Sequence, residues 1–163
     1  PYKGVSELLE CFESLPGDVH LHVAGRVSDV GLEDEIQALA ARDDRISLDL
    51  SFVSDEELKR LLAWCHVVVL PYRDILTSGS LLMALTAGRP VIIPRAGLVT
   101  EYANEDCAFF YDPNDRQWLQ NSMKRALDCN DLKTMSDAAL MRSKDFDWVK
   151  IGAELADIYR GLV

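Results

Sequence analysis

LPYRDILTSGSLLMALTAGRPVIIP, residues 70–94, decides how the chain folds. Just before it, His66-Val67-Val68-Val69-Leu70 is a short β-branched run that suits a strand covered on both faces. Pro71 ends it. Thr77-Ser78-Gly79-Ser80 then leads into Leu81-Leu82-Met83-Ala84-Leu85, a run of good helix formers. Ala87-Gly88-Arg89-Pro90 stops that helix with a glycine where a left-handed residue is wanted, and Val91-Ile92-Ile93 is the next strand. Strand, helix and parallel strand in this order read as one unit of an open α/β sheet, whose ligands sit beyond the carboxyl ends of the strands. Hydroxyl residues and a glycine at the helix start leave free N–H groups where the helix dipole favours an anion. Thr77 to Ser80 are therefore a candidate phosphate cradle, against the simpler reading that a Ser or Thr there is only an N-cap.

Outward from this stretch the same alternation holds. Towards the amino end, Val5, Leu8, Leu9, Phe12 and Leu15 carry the three-four spacing of an amphipathic helix. Pro16-Gly17-Asp18 is a turn, and residues 19–24, VHLHVA, form a strand with His20 and His22 on one face. Residues 31–42 are helical and residues 46–52 a strand. Ser54-Asp55-Glu56-Glu57 has the form of a capping box opening a helix that runs to about residue 65. Towards the carboxyl end, residues 97–103 read as a short helix and 108–111 as a strand. Residues 116–129, 131–142 and 148–161 read as helices. Trp64, Trp118, Trp148 and Met83 fall on apolar stripes and are expected to pack in the core. The predicted fold is a Rossmann-like three-layer α/β domain with a mostly parallel sheet and C-terminal helices, spanning residues 1–163 as a single domain. A doubly wound unit opens on a strand, whereas this chain opens on a helix and on Pro1 rather than Met. A first strand is therefore expected upstream of Pro1.

Composition narrows the function. A formal net charge of -10 over 163 residues argues against a nucleic-acid or anionic-membrane surface. No apolar run reaches membrane-spanning length, and a cytoplasmic setting is expected. The cysteines at 11, 65, 107 and 129 form no C-x-x-C pair, and His20 and His22 lack a third ligand, so no metal or redox site is predicted. The G-x-G-x-x-G of a dinucleotide fold is missing after the first strand, and no Ser/His/Asp or Cys/His spacing stands out, so no catalytic residue is assigned.

Several short motifs, taken in order, resemble the C-terminal half of a GT-B glycosyltransferase of the large retaining group 1, or family 4, type. They are Lys3-Gly4 before the first helix, His22-Val23-Ala24-Gly25 at a strand end, residues 53–58 (VSDEEL), and Val68-Val69-Leu70-Pro71. They continue with Ala84-x-x-x-Gly88-x-Pro90-Val91, Gly97-x-x-x-Glu101, and Phe146-Asp147-Trp148. The resemblance covers nearly the whole chain. It implies the donor domain of a two-domain enzyme that transfers a hexose from a nucleotide diphosphate sugar, UDP- or GDP-linked, to a polysaccharide or lipid-linked acceptor. An N-terminal domain of the same protein would hold the acceptor, and this piece alone would be inactive. The resemblance places Lys3 against the donor diphosphate, with Gly25 and Arg26 lining the cleft. Phe52 and Val53 would meet the base, and Arg73 with Thr77, Ser78, Gly79 and Ser80 would meet the phosphates. A lysine and a helix N-terminus supply the positive potential without metal or cofactor.

One departure from the family pattern matters. Two glutamates are usual where this chain has Ile75 and Met83, and neither replacement accepts a hydrogen bond. The alternative function is thus a non-catalytic binding or scaffold module that kept the fold and lost the chemistry. Arg73 likewise has a plain alternative role, pairing with a surface acid.

Overall fold

The computed structural model describes residues 3–115 and 117–162. Pro1, Arg116 and the strand expected upstream lie outside these. In chain order the elements are α1 (Val5–Glu13), β1 (Leu21–Ala24), α2 (Val30–Ala40), β2 (Ile46–Asp49), α3 (Asp55–Trp64), β3 (Val68–Val69) and α4 (Gly79–Thr86). There follow β4 (Val91–Pro94), α5 (Val99–Tyr102), β5 (Ala108–Tyr111), α6 (Trp118–Leu127), α7 (Leu132–Ser143), a 3-10 turn (Lys144–Phe146) and α8 (Trp148–Gly161). This is the α/β order that the sequence predicts.

All strand pairs are parallel. β1 pairs with β2, Leu21 opposite Ile46, and β4 pairs with β3 on one side and β5 on the other. Among the described residues these are two separate sheets, of two and three strands. Strand alternation sorts the side chains into two layers. Ile92, Phe109 and Tyr111 pack towards α1 and α6, on Leu8, Phe12, Trp118 and Leu119. Val91, Ile93 and Phe110 pack the other way, on Leu81 and Leu85 of α4, Val99 of α5 and Ala139 of α7. Leu9 of α1 and Ile36 and Leu39 of α2 cover the β1–β2 pair through Leu21, Val23, Ile46 and Leu48. The domain is a three-layer sandwich of helices about parallel strands.

Most helix ends follow the predicted chemistry. Ser54 accepts from Glu57 N at 3.2 Å, so the forward bond of the predicted capping box forms, while Glu57 turns its carboxylate to Arg60. Gly88 (φ +66) closes α4, with Arg89 N donating to Ala84 O at 2.8 Å. Arg89 then donates to Leu62 O at 2.6 Å and Ala63 O at 3.0 Å, capping α3. At α2 the cap is Asp29, which accepts from Gly31 N and Leu32 N, so this helix starts one residue before the predicted Gly31. β2 and β3 are shorter than predicted. Each pairs along one edge only, so the apolar run outlasts the ladder.

Three apolar residues depart from the expected core. Trp118 is buried and stacks on Tyr111 at 3.7 Å. Trp64 is 56% exposed, Trp148 is 84% exposed and Met83 is 44% exposed. α8 carries Trp148, Val149, Ile158 and Tyr159 into solvent. A helical stripe records that a face is apolar but not what covers it.

Candidate functional site

Most residues singled out in the sequence follow the carboxyl ends of parallel strands, at one edge of the domain. Of them only Lys3, Arg73 and Ser80 line the two cavities found there, while Gly25, Arg26, Phe52, Val53, Thr77, Ser78 and Gly79 line neither. Gly25 and Arg26 follow β1, Phe52 and Val53 follow β2, and Arg73 with Thr77 to Ser80 follow β3. Lys3 and Gly4 reach the same edge from the start of α1. Gly4 sits at φ +62, so close to β3's end that a Cβ there would lie 2.0 Å from Pro71 O. Only glycine allows this approach.

At this junction Lys3, Gly4, Ser6, Glu7, Asp29 and Arg73 are among the residues lining a cleft of about 450 Å³. Gly4 offers no side-chain cap to α1, so the first amides of that helix remain available to an incoming acceptor. Arg73 does not point freely into the cleft. Its Nε donates to Glu7 Oε2 at 2.8 Å and a second guanidinium nitrogen bonds Glu7 Oε1, a two-point pair across 66 residues of sequence. Glu7 is a member of the site that sequence reasoning missed. The only available signal was its place in the first turn of α1.

The start of α4 is partly self-capped. Ser78 Oγ accepts from Leu81 N at 3.2 Å and lies 3.5 Å from the Tyr72 hydroxyl, leaving the Gly79 and Ser80 amides without acceptors among the described residues. Thr77 and Gly79 are exposed, while Ser80 lines a different, larger groove together with Lys3 and Ala24. Phe52 is 80% exposed and Val53 half-buried. Lys3 and Val5 line both the cleft beside Arg73 and the groove beside Ser80, and Lys3 is the charged one of the two.

Two further residues hold this edge in shape. Gly97, at φ +56, brings the loop after β4 under residues 75–76, where a Cβ would lie 2.2 Å from Ile75 O, and Leu98 N donates to Leu76 O at 2.9 Å. Tyr111, at the end of β5, donates its buried hydroxyl towards Leu70 O at 3.1 Å and Tyr72 O at 3.0 Å. Burial pushes its phenol far above the usual range, so it stays a donor. Ile75 packs against the core rather than opening to the cleft. Among the described residues no group of three or more His, Cys, Asp or Glu side chains converges as a metal site; His22 instead meets Ser47 Oγ at 2.8 Å and the edge of Trp64.

The family model described as "Glycosyl transferases group 1" matches residues 1–129. The chain belongs to this family. It is 36% identical over 95 residues to a GDP-mannose:glycolipid 4-beta-D-mannosyltransferase of Xanthomonas campestris pv. campestris, a match covering 58% of this chain and 27% of that protein. It is 30% identical over 165 residues to the MMP alpha-(1->4)-mannosyltransferase of Mycolicibacterium hassiacum, covering 98% of this chain and 40% of that protein. The glycosyltransferase chain thus spans less than half the length of these relatives. Among solved structures it is similar to Anabaena Alr3699/HepE in complex with UDP, with TM-score 0.82, 22% identity, and 99% of this chain against 46% of that one. It is also similar to a glycosyltransferase from Rickettsia africae, with TM-score 0.84, 17% identity, and 99% of this chain against 45% of that one. These likenesses carry the fold: a GT-B type, Rossmann-like α/β domain.

Proposed function

We propose that this domain binds the nucleotide diphosphate sugar of a hexosyltransferase, and that the complete protein passes the hexose to a polysaccharide or lipid-linked acceptor held by an N-terminal domain. The observation that carries the reading is the junction of Lys3, the uncapped start of α1 and Arg73 at the carboxyl edge of the strands. A diphosphate there meets a point charge and free amides, beside a guanidinium that must exchange its pair with Glu7 to join them. Thr77, Ser78, Gly79 and Ser80 complete the phosphate contacts, Gly25 and Arg26 flank the sugar, and Phe52 with Val53 meets the base. Stabilising the departing diphosphate is the contribution these groups make to catalysis. The relatives support both a GDP-linked donor, as in the Xanthomonas enzyme, and a uridine diphosphate, as in the Anabaena structure. Transfer is proposed to retain the anomeric configuration, to take place in the cytoplasm, and to require more of the protein than this piece. Among the described residues no helix is long and apolar enough to cross a membrane.

A second reading, a binding module without transfer chemistry, is favoured by Ile75, which packs into the core where the family pattern has a carboxylate. Calorimetric titration of the full-length protein with UDP and with GDP tests the first proposition, and failure of both to bind would refute it. Incubation with donor sugar and NMR of the product anomer then separates the two readings. Transfer or donor hydrolysis eliminates the module, and binding without turnover eliminates the enzyme.

A further inference from the structure

The cleft beside Arg73 is not uniformly basic. Lys3 and Arg73 face three carboxylates in its lining, Glu7, Asp29 and Glu35. More acid than base is a poor arrangement for holding every anion as tightly as possible. Asp29 has a local reason to be there. It caps α2, accepting from Gly31 N at 3.0 Å and Leu32 N at 3.4 Å. Glu7 has none of that kind. It is the third residue of α1, and its carboxylate folds back across the helix start, with Oε2 3.2 Å from where a Cβ on Gly4 would stand. There its two oxygens accept from Arg73 Nε, at 2.8 Å, and from a second guanidinium nitrogen. Arginine takes a phosphate by the same fork of two parallel bonds. Glu7 thus holds the place at Arg73 that a ligand's phosphate would use. The pair is easily exchanged. The Arg73 side chain is 60% exposed and that of Glu7 32%, so water screens it and can replace either partner. A displaced Glu7 carboxylate still cannot go far, because its short stem rises from the first turn of α1, next to the amides that a phosphate would meet.

We propose that Glu7 is a specificity-determining residue that sets the charge preference of this cleft: it yields Arg73 to an incoming diphosphate and then repels that ligand in proportion to its charge. The inference rests on the diphosphate reading above and goes beyond it in assigning a role to an acid. A nucleotide diphosphate sugar has its terminal phosphate esterified, so that group carries a single negative charge. The nucleoside diphosphate left after transfer ends instead in a phosphate of about −1.5 to −2 at neutral pH. Repulsion by Glu7 is therefore stronger for the spent nucleotide than for the donor. Lys3 lines the same cleft and attracts both. Glu7 lowers the overall affinity and in return favours replacement of spent nucleotide by fresh donor.

Calorimetric titration of the full-length protein with UDP against UDP-glucose, and with GDP against GDP-mannose, tests this in the wild type, Glu7→Gln, Glu7→Asp and Glu13→Gln. Glu13 is exposed at the far end of the same helix. Glu7→Gln is expected to tighten the free diphosphate about two- to fivefold and the sugar-linked form less, so that the ratio of their dissociation constants moves about twofold. A merely structural role would move both alike. The shift should fade at about 1 M salt, where screening acts within about 3 Å. Glu7→Asp keeps the charge and Glu13→Gln removes one at a distance, so both should keep the wild-type ratio. In NMR spectra of nitrogen-labelled wild type, the Arg73 Nε signal, identified by its loss in Arg73→Lys, should shift when UDP is added. A wild type that binds none of the four ligands defeats the diphosphate reading and this inference with it. Where the wild type binds, an unchanged ratio or weaker binding in Glu7→Gln overturns the inference alone, and so does an Arg73 signal that does not respond to UDP.

Discussion

Gly4→Ala probes the junction on which the site depends. Two effects act at once. The residue sits at φ +62, where a Cβ costs about 1–2 kcal/mol, and that Cβ would lie 2.0 Å from Pro71 O. Backbone must then separate by more than an ångström, which pulls the start of α1 off the end of β3. Gly17 supplies the control. It too has positive φ, +93, but a Cβ there meets nothing within 4 Å. Gly17→Ala is therefore expected to lose about 1–2 kcal/mol, the backbone strain alone, and Gly4→Ala at least about 1–3 kcal/mol more. Urea denaturation of the full-length protein, followed by tryptophan fluorescence, measures both, since Trp118 is buried against Tyr111. UDP and GDP titrations on the folded variants should show weakened binding for Gly4→Ala and unchanged binding for Gly17→Ala. Equal destabilisation by the two substitutions would refute the close approach to Pro71 and with it the reason for placing Lys3 at this edge.

The Arg73–Glu7 pair is exposed enough that breaking it should leave stability little changed. Arg73→Ala should nevertheless weaken nucleotide binding about tenfold or more by calorimetry, while Glu7→Gln, which frees the guanidinium, should leave binding equal or tighter. Tyr111→Phe removes the hydroxyl bonded to Leu70 O and Tyr72 O and should lower stability by about 1–2 kcal/mol in the same urea assay. Arg45 holds Asp43 at about 2, below the ordinary carboxylate range, through hydrogen bonds that also aim Arg45 at Leu15 O at the end of the α1 segment. That stabilisation is complete above the unfolded carboxylate's pKa and is lost as pH falls through it towards 2. Asp43→Asn should flatten this part of an acid-unfolding curve.

Local chemistry in the sequence located the elements well. The β-branched run at residues 66–70 and the Gly88 stop gave β3 and α4, and Ser54 gave the start of α3. What escaped was chemistry between distant residues. Glu7 meets Arg73 only once α1 packs against the end of β3, and Gly97 is required only because the loop at Ile75 comes over it. Tyr111 closes an edge it does not adjoin in sequence. The apolar stripes misled because periodicity marks an apolar face without marking what covers it. Trp64 and Met83 line the groove between β1 and β3, and Trp148 stands in solvent on α8.

The bare face of α8 sets two forces against each other in a test tube. Ten excess negative charges drive molecules apart, and their reach shrinks to about 8 Å at physiological salt. Apolar side chains lined along one helix attract their like at shorter range and are indifferent to screening. Adding salt therefore favours clumping of this piece, and dilute buffer keeps it dispersed.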